Sequence, residues 1–378
     1  MSKMASVNIL NYEIHSAQGD LHQTLNAIKN EEIILSSKFI KVDQKEINIP
    51  FYAFENEVQE EQESIYGAIR ELLLKLVSGM SEKRRRSTAL IIGTSLVDLY
   101  LVDAIEACVY ESERTVYSSQ KHSIDSYAKK LSNEFGLNEF TMTINTACTS
   151  SANAMLEASN LIRSGVFDYA IVLGVEIFSS IMSSGFYTMD LISDRMPKPF
   201  DINRNGLVLG EAIAGILLGK DDSKWSIEGG FSNCNSSTIT SVGKGGDECV
   251  EVMQKALEDA NIVAEDITAL KAHATGSESN DLAEINAISK VFDDTLIFTA
   301  LKPYVGHTIG ASGALEIAIF MATIDNGFIP KTLSCTESIL ADYIPISESK
   351  ECKSGLFMCN YFGFGGNNIS LIIKKASS

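Results

Sequence analysis

The chain has 378 residues, 45% hydrophobic and 21% charged, which is apolar enough for a large core and rules out wholesale disorder. A formal net charge of −18 opposes binding to nucleic acid, whose phosphates demand a basic surface, and leaves any acidic partner dependent on a local basic patch. No basic start followed by a long apolar run opens the sequence and no apolar stretch is long enough to span a bilayer, so a globular cytoplasmic protein is expected.

In chain order, residues 6–10 read as a first strand, and little further pattern follows up to about residue 87. Residues 55–63 form an acidic run expected on an exposed helix face, and Lys83-Arg84-Arg85-Arg86, the basic cluster of note, reads as a solvated helix end. Aliphatic and β-branched runs predict strands at 89–93, 141–146, 170–176 and 212–218. Further strands are predicted at 227–232, 267–273, 296–299, 355–360 and 368–374. Helical spacing of apolar residues marks 152–163, 250–261, 281–292 and 312–326. Strands alternating with helices predict largely parallel sheets covered on both faces. Five strands on either side of residues 220–225 suggest two similar halves, 1–222 and 223–378.

Cys148 lies in Asn145-Thr146-Ala147-Cys148-Thr149-Ser150-Ser151, where a strand turns into a helix. Unpaired backbone N–H groups and the helix dipole at such a turn favour the thiolate, the nucleophilic form; a buried core cysteine is the competing reading. The seven cysteines include no Cys-x-x-Cys pair, which argues against structural zinc or a disulfide framework. Two of five histidines stand out: His273 ends an apolar strand, and His307 lies in a glycine-rich turn leading into a helix. Each, taken alone, reads equally as a hydrogen-bonded core histidine. Lys302 follows an apolar stretch and needs an anionic partner if buried, for which Glu316, Asp281 and Glu284 are candidates. The run Phe362-Gly363-Phe364-Gly365-Gly366-Asn367-Asn368 can present backbone N–H groups to an anion. Asp201-Ile202-Asn203-Arg204-Asn205-Gly206 imitates half a calcium loop, but the required glutamate falls at 211 instead of 212, so no metal is expected.

These segments together resemble the β-ketoacyl-acyl-carrier-protein synthases, the elongating condensing enzymes of fatty acid and type II polyketide assembly. The likeness runs in order through the Cys148 segment, Pro199-Phe200-Asp201 with 205–211, Ala272-His273-Ala274-Thr275, Lys302 with Gly306-His307, and 360–367. It implies an α/β, thiolase-like fold whose duplicated halves form a five-layered αβαβα sandwich. It also implies a Cys148, His273, His307 triad, with histidine at 307 pointing to the elongating branch.

The resemblance further implies an oxyanion hole from the backbone N–H groups of Cys148 and Phe364. Lys302, paired with Glu316 or with Asp281 and Glu284, would keep the histidines neutral. Thr275 and Ser277 match positions that hold a pantetheine arm, Phe364 matches the gate of the acyl pocket, and Phe186 and Leu207 line or reshape that pocket. Cys359, the nearest candidate for a second thiolase-type cysteine, reads as core. No cofactor is implied beyond the phosphopantetheine arm of an acyl carrier protein, and a homodimer or a heterodimer with a paralogous ketosynthase is expected.

Asn145 and Ala274 depart from the family pattern. So does the early helix, acidic at Glu57, Glu60, Glu61 and Glu63 where relatives carry basic carrier-docking residues, so no docking face carries over. Two functions follow: decarboxylative condensation with malonyl-acyl-carrier protein, or a non-elongating chain-length-factor subunit that shapes a paralogue's pocket.

Overall fold

The computed structural model describes residues 7–55, 62–96, 124–234 and 245–377. Glu57, Glu60, Glu61 and the side chain of Glu63 lie outside the described residues, as does Cys108.

Each strand expected from sequence is present. The first half contributes β1 (Val7–Ser16), β2 (Thr88–Gly93), β3 (Thr141–Ile144), β4 (Tyr169–Glu176) and β5 (Ala212–Gly219). The second contributes β6 (Trp225–Cys234), β7 (Ile267–Lys271), β8 (Phe298–Thr299), β9 (Gly355–Phe362) and β10 (Asn367–Lys375). The helices are α1 (Leu21–Asn30), α2 (Gln62–Leu76), α3 (Ile124–Phe135), α4 (Ser150–Arg163), α5 (Ser180–Thr188), α6 (Asp247–Ala260), α7 (Glu278–Val291) and α8 (Ser312–Asp325). Within the basic cluster, Glu82–Arg86 forms one helical turn, with the Arg84 guanidinium folded over the Tyr169 ring.

The strands run β8-β7-β9-β10-β6-β1-β5-β4-β2-β3. Counted outward from the centre, each half has the same order: its first strand, then its fifth, fourth, second and third. Two expectations are corrected here. The sheets are mixed, because β1–β5, β4–β5, β6–β10 and β9–β10 are antiparallel while β2–β4, β2–β3, β7–β9 and β7–β8 are parallel. The antiparallel pair β9–β10 is joined by a short turn instead of a crossover helix, which alternation of elements alone does not reveal. The two five-stranded halves are also joined, through Val7↔Ile227, Asn8↔Ser226 and Ile9↔Trp225.

Strand alternation builds the layers, since successive side chains point to opposite faces. Ala89 and Ile91 of β2 face inward to α4 and α8, while Leu90 and Ile92 face outward to α2 and α3. In the second half Phe357, Cys359 and Tyr361 of β9 face the same inner core, while Met358 and Phe362 face α6 and α7. The result is helix, sheet, helix pair, sheet, helix. Helix α8 is apolar on every face except at Glu316 and is buried from Ser312 to Ile324, as a central helix must be. Its Leu315, Ile317, Ile319, Phe320 and Ile324 contribute roughly 1.5–3 kcal/mol each before entropy is charged against them. No helix among the described residues is long and apolar enough to cross a membrane.

Each half ends its third strand in the same way. In the first, β3 leads to a 3-10 turn, Ala147–Thr149, and then α4; in the second, β8 leads through residues 300–308 to a 3-10 turn, Ile309–Ala311, and then α8. Ala147 (φ 53°) and Ile309 (φ 36°) are both left-handed, a conformation costly for a side chain with a Cβ.

Candidate active site

Cys148 sits in the first of these turns, 3% exposed. The left-handed Ala147 sets the turn, and the Ser150 hydroxyl donates to Ala147 O and accepts from Thr146 N–H, closing it before α4 begins. His307 reaches across from the second half, its Nε2 3.1 Å from Cys148 Sγ and its Nδ1 3.3 Å from Ser312 Oγ. The His273 ring stands edge-on to His307, centroids 5.3 Å apart. Three groups expected to converge therefore do.

Burial reverses one expectation. Desolvation pushes the Cys148 thiol up to about 11, although the backbone N–H groups of Phe364 and of Cys148 itself, and the charge of Lys302, favour the thiolate. At neutral pH the resting form is the thiol. The same two N–H groups lie against Sγ.

Lys302 Nζ lies 2.6 Å from Glu316 Oε1 and 3.3 Å from His273 Nδ1. A lysine ammonium only donates, so Nδ1 accepts and the His273 proton resides on Nε2. That Nε2 is buried and has no hydrogen-bond partner among the described residues, which leaves an N–H donor free for a substrate. Burial first, then the Lys302 charge, holds both histidines well below the usual imidazole range, so both are neutral.

Of the three carboxylates considered for Lys302, Glu316 alone meets it. Glu284 accepts from the backbone N–H groups of His273 and Ala274, each at 2.7 Å, and Asp281 from those of Phe200 (2.7 Å) and Gly276 (3.0 Å). They hold the turn after His273, where Ala274 is left-handed (φ 50°). Inside that turn the Thr275 and Ser277 hydroxyls are buried and 2.9 Å apart.

A small apolar cluster of Phe51, Cys148, Phe186, Leu207, Leu209 and Ile309 surrounds the thiol, separate from the sheet cores. Phe364 packs against it, its ring stacked on Phe186 at 5.5 Å. Cys359 is fully buried in the central core. Asp201 accepts from the N–H groups of Asn203, Thr336 and Glu337, so its carboxylate is a loop anchor.

Two buried residues escaped the sequence reading. Lys271 Nζ touches the other oxygen of Glu316, Oε2, at 2.6 Å. Glu176 accepts from Ser95 N–H, the Ser95 hydroxyl and Gly310 N–H, tying β4 to the turn that carries His307. A charged residue at an inward position of an otherwise apolar strand was the available signal for both.

Residues 65–224 match the family model "Beta-ketoacyl synthase, N-terminal domain" and residues 226–336 match "Beta-ketoacyl synthase, C-terminal domain". A mitochondrial 3-oxoacyl-[acyl-carrier-protein] synthase of Schizosaccharomyces pombe is 30% identical over 272 residues, 65% of this chain and 64% of that protein. A chloroplastic 3-oxoacyl-[acyl-carrier-protein] synthase I of Arabidopsis thaliana is 32% identical over 260 residues, 62% of this chain and 54% of that protein. The matches thus span less than two thirds of either relative's length. In structure, the chain is similar to one chain of a ketosynthase in complex with its chain length factor from Xenorhabdus doucetiae (TM-score 0.84, 22% identity, 100% of this chain and 99% of the other). That likeness is one of fold, thiolase-like in its layers. On the two family matches, which adjoin at the middle of the chain and together take in Cys148, His273, Lys302 and His307, the chain belongs to the beta-ketoacyl synthase family.

Proposed function

We propose that this chain is a catalytic ketosynthase that joins an acyl group held on Cys148 to malonyl-acyl-carrier protein with loss of carbon dioxide. The observation carrying the reading is the pair of neutral imidazoles beside a thiol, one with its N–H unpartnered.

In the first step Cys148 Sγ attacks the carrier thioester carbonyl. The oxyanion takes the N–H groups of Cys148 and Phe364, the pantetheine C–S bond breaks, and the thiol proton passes by way of His307 to the leaving sulfur. In the second, the malonyl carbon–carboxylate bond breaks, carbon dioxide departs and the electron pair becomes an enolate. With the His307 proton shifted from Nδ1 to Nε2, His273 Nε2–H and His307 Nε2–H stabilise the enolate oxygen, its carbon attacks the acyl-Cys148 carbonyl, the C–S bond to Cys148 breaks, and the thiolate takes up a solvent proton by way of His307. Neutral histidines suit this role, because an imidazolium would protonate the enolate before it attacked.

The gate at Phe364, with Phe186 and Leu207, bounds the acyl pocket. Thr275 and Ser277 hold the pantetheine arm, so no resident cofactor is required. The repeated strand order supports a division into halves at 222 and 223, and the edge of β3, unpaired among the described residues, suits pairing with a second chain, identical or paralogous.

Incubation with acyl- and malonyl-carrier proteins, alone and with candidate partner subunits, followed by intact mass, tests the reading. An acyl adduct is expected, absent in Cys148→Ala. His307→Ala is expected to form the adduct more slowly, its proton relay being lost, and to lose carbon dioxide release. No adduct under any pairing would turn the assignment to the non-elongating subunit.

A further inference from the structure

Lys271 is the last residue of β7 and lies on the inner face, two positions before His273. It is 0% exposed. Its ammonium donates to Glu316 Oε2 (2.6 Å) and to Asn360 O (2.9 Å) and lies 3.6 Å from the centroid of the Tyr361 ring. Burial lowers its hold on the proton, and the Glu316 carboxylate and the ring face counter that loss. Glu316 therefore gives one oxygen to each of two lysines. Lys302 and Glu316 would suffice as a neutral pair. Lys271 turns the pair into a cluster with one net positive charge, buried directly behind the two imidazoles.

The carboxylates around the histidines oppose this charge only in part, because burial pushes Asp281 up to about 6 and Glu284 and Glu176 up to about 7. On the β7–α7 side, the carboxylates of Asp281 and Glu284 are tied to backbone N–H groups. On the nucleophile side stand the thiol of Cys148 and Glu176, the latter tied to Ser95 and Gly310. From β9 come Cys359 and Tyr361, whose acidities burial suppresses.

We infer that Lys271 is a positioning residue: by holding the second oxygen of Glu316 it fixes Lys302 beneath His273, and its charge, added to that of Lys302, keeps His273 and His307 neutral donors. The inference rests on the condensation reading for its catalytic consequence. The competing role is purely structural, a buried ion pair that organises packing without touching the histidines.

Lys271→Met, Lys271→Gln and Lys271→Arg are compared with the unaltered chain for carbon dioxide release from malonyl carrier protein between about pH 5 and about pH 9, with denaturant stability measured on each. Loss of the charge in the Met and Gln variants is expected to move the acidic limb upward by about one pH unit, with Arg restoring it. Folded Met and Gln variants whose limbs superimpose on the unaltered one would overturn the inference. Histidine ring-proton titration by NMR, with His273→Gln and His307→Gln used for assignment, compares the unaltered chain with the folded Lys271 variants and needs no activity. Both rings are expected to titrate higher in the Met and Gln variants than in the unaltered chain; curves that superimpose, or titration of both near the ordinary value of about 6.5 in the unaltered chain, would overturn the inference. An unaltered chain that releases no carbon dioxide would count against condensation alone, and the titration would still decide on Lys271.

Discussion

Cys148 rests as a thiol because burial outweighs the N–H groups around it, so its nucleophilicity must arise during attack. His307 is arranged for that moment. Its Nδ1 meets a serine hydroxyl, which either donates or accepts, so the ring can change tautomer as a proton moves at Nε2. Glu176 beside them is a different case. Desolvation raises its carboxyl to about 7, against the opposing hydrogen bonds from Ser95 and Gly310. A folded-state value above the unfolded 4.5 means the folded chain holds this proton longer. Its contribution is therefore intact below about pH 4.5 and is lost as pH rises toward 7. In Glu176→Gln the amide oxygen can accept both N–H groups and the amide nitrogen can donate to Ser95 Oγ. The variant's stability relative to the unaltered chain should rise by about 3 kcal/mol from pH 4.5 to about 8. Parallel denaturation curves at all pH values would refute the assignment. Neither Glu176 nor Lys271 was legible beforehand, because their partners come from distant parts of the chain. Glu316, by contrast, was one of three candidates, and only packing could show that Asp281 and Glu284 bind backbone.

At the scale of elements, the nucleophile is placed by close backbone contact. A Cβ added at Gly93 of β2 would overlap the Ser151 backbone, and one added at Gly313 of α8 would overlap Ala152. The first turn of α4 is thus gripped from both sides, directly after Cys148. Gly313→Ala should destabilise by about 2 kcal/mol or more, since backbone on both sides must shift. Gly67→Ala in α2, where a Cβ meets nothing within 4 Å, should stabilise by roughly 0.5–1 kcal/mol. Chemical denaturation of the two variants checks both signs, and a tolerant Gly313 would contradict the grip. The strands and central helices were readable from periodicity because both faces are apolar or alternate cleanly. The hairpin of Ser36–Val42 with Lys45–Phe51 was not: its turn uses left-handed Asp43 and Gln44 in place of an Asn-Gly signal.

The whole molecule has repeated halves but one central core. A single apolar cluster takes residues from β1, β2, β4 and β5 and also from β6, β9 and β10, with α4 and α8 between them. Asp325 at the end of α8 joins Tyr12 of the first half (2.7 Å) to Trp225 (3.1 Å) and Lys375 (2.9 Å) of the second. Separating the halves would expose the inner faces of both. Fragments 1–222 and 223–378 expressed alone should therefore lack cooperative unfolding, while the full chain shows one calorimetric transition. Independent melting of either fragment would show that the core divides after all.

The matching turns have a further meaning at this scale. Aligned on their left-handed residues, Asn145-Thr146-Ala147-Cys148-Thr149-Ser150 corresponds to His307-Thr308-Ile309-Gly310-Ala311-Ser312, with threonine and serine shared at equivalent places. The thiol of one copy faces the imidazole of the other across a local pseudo-twofold axis. Where one copy carries Sγ, the other has Gly310, whose Cβ would collide with the backbone at Thr94 and Ser95; where one carries imidazole, the other has the amide of Asn145. A perfectly symmetric pair of turns would build two thiol–imidazole pairs, and this chain keeps one. The division into nucleophile and base is thus a broken symmetry, confined to two positions of a turn that the chain uses twice.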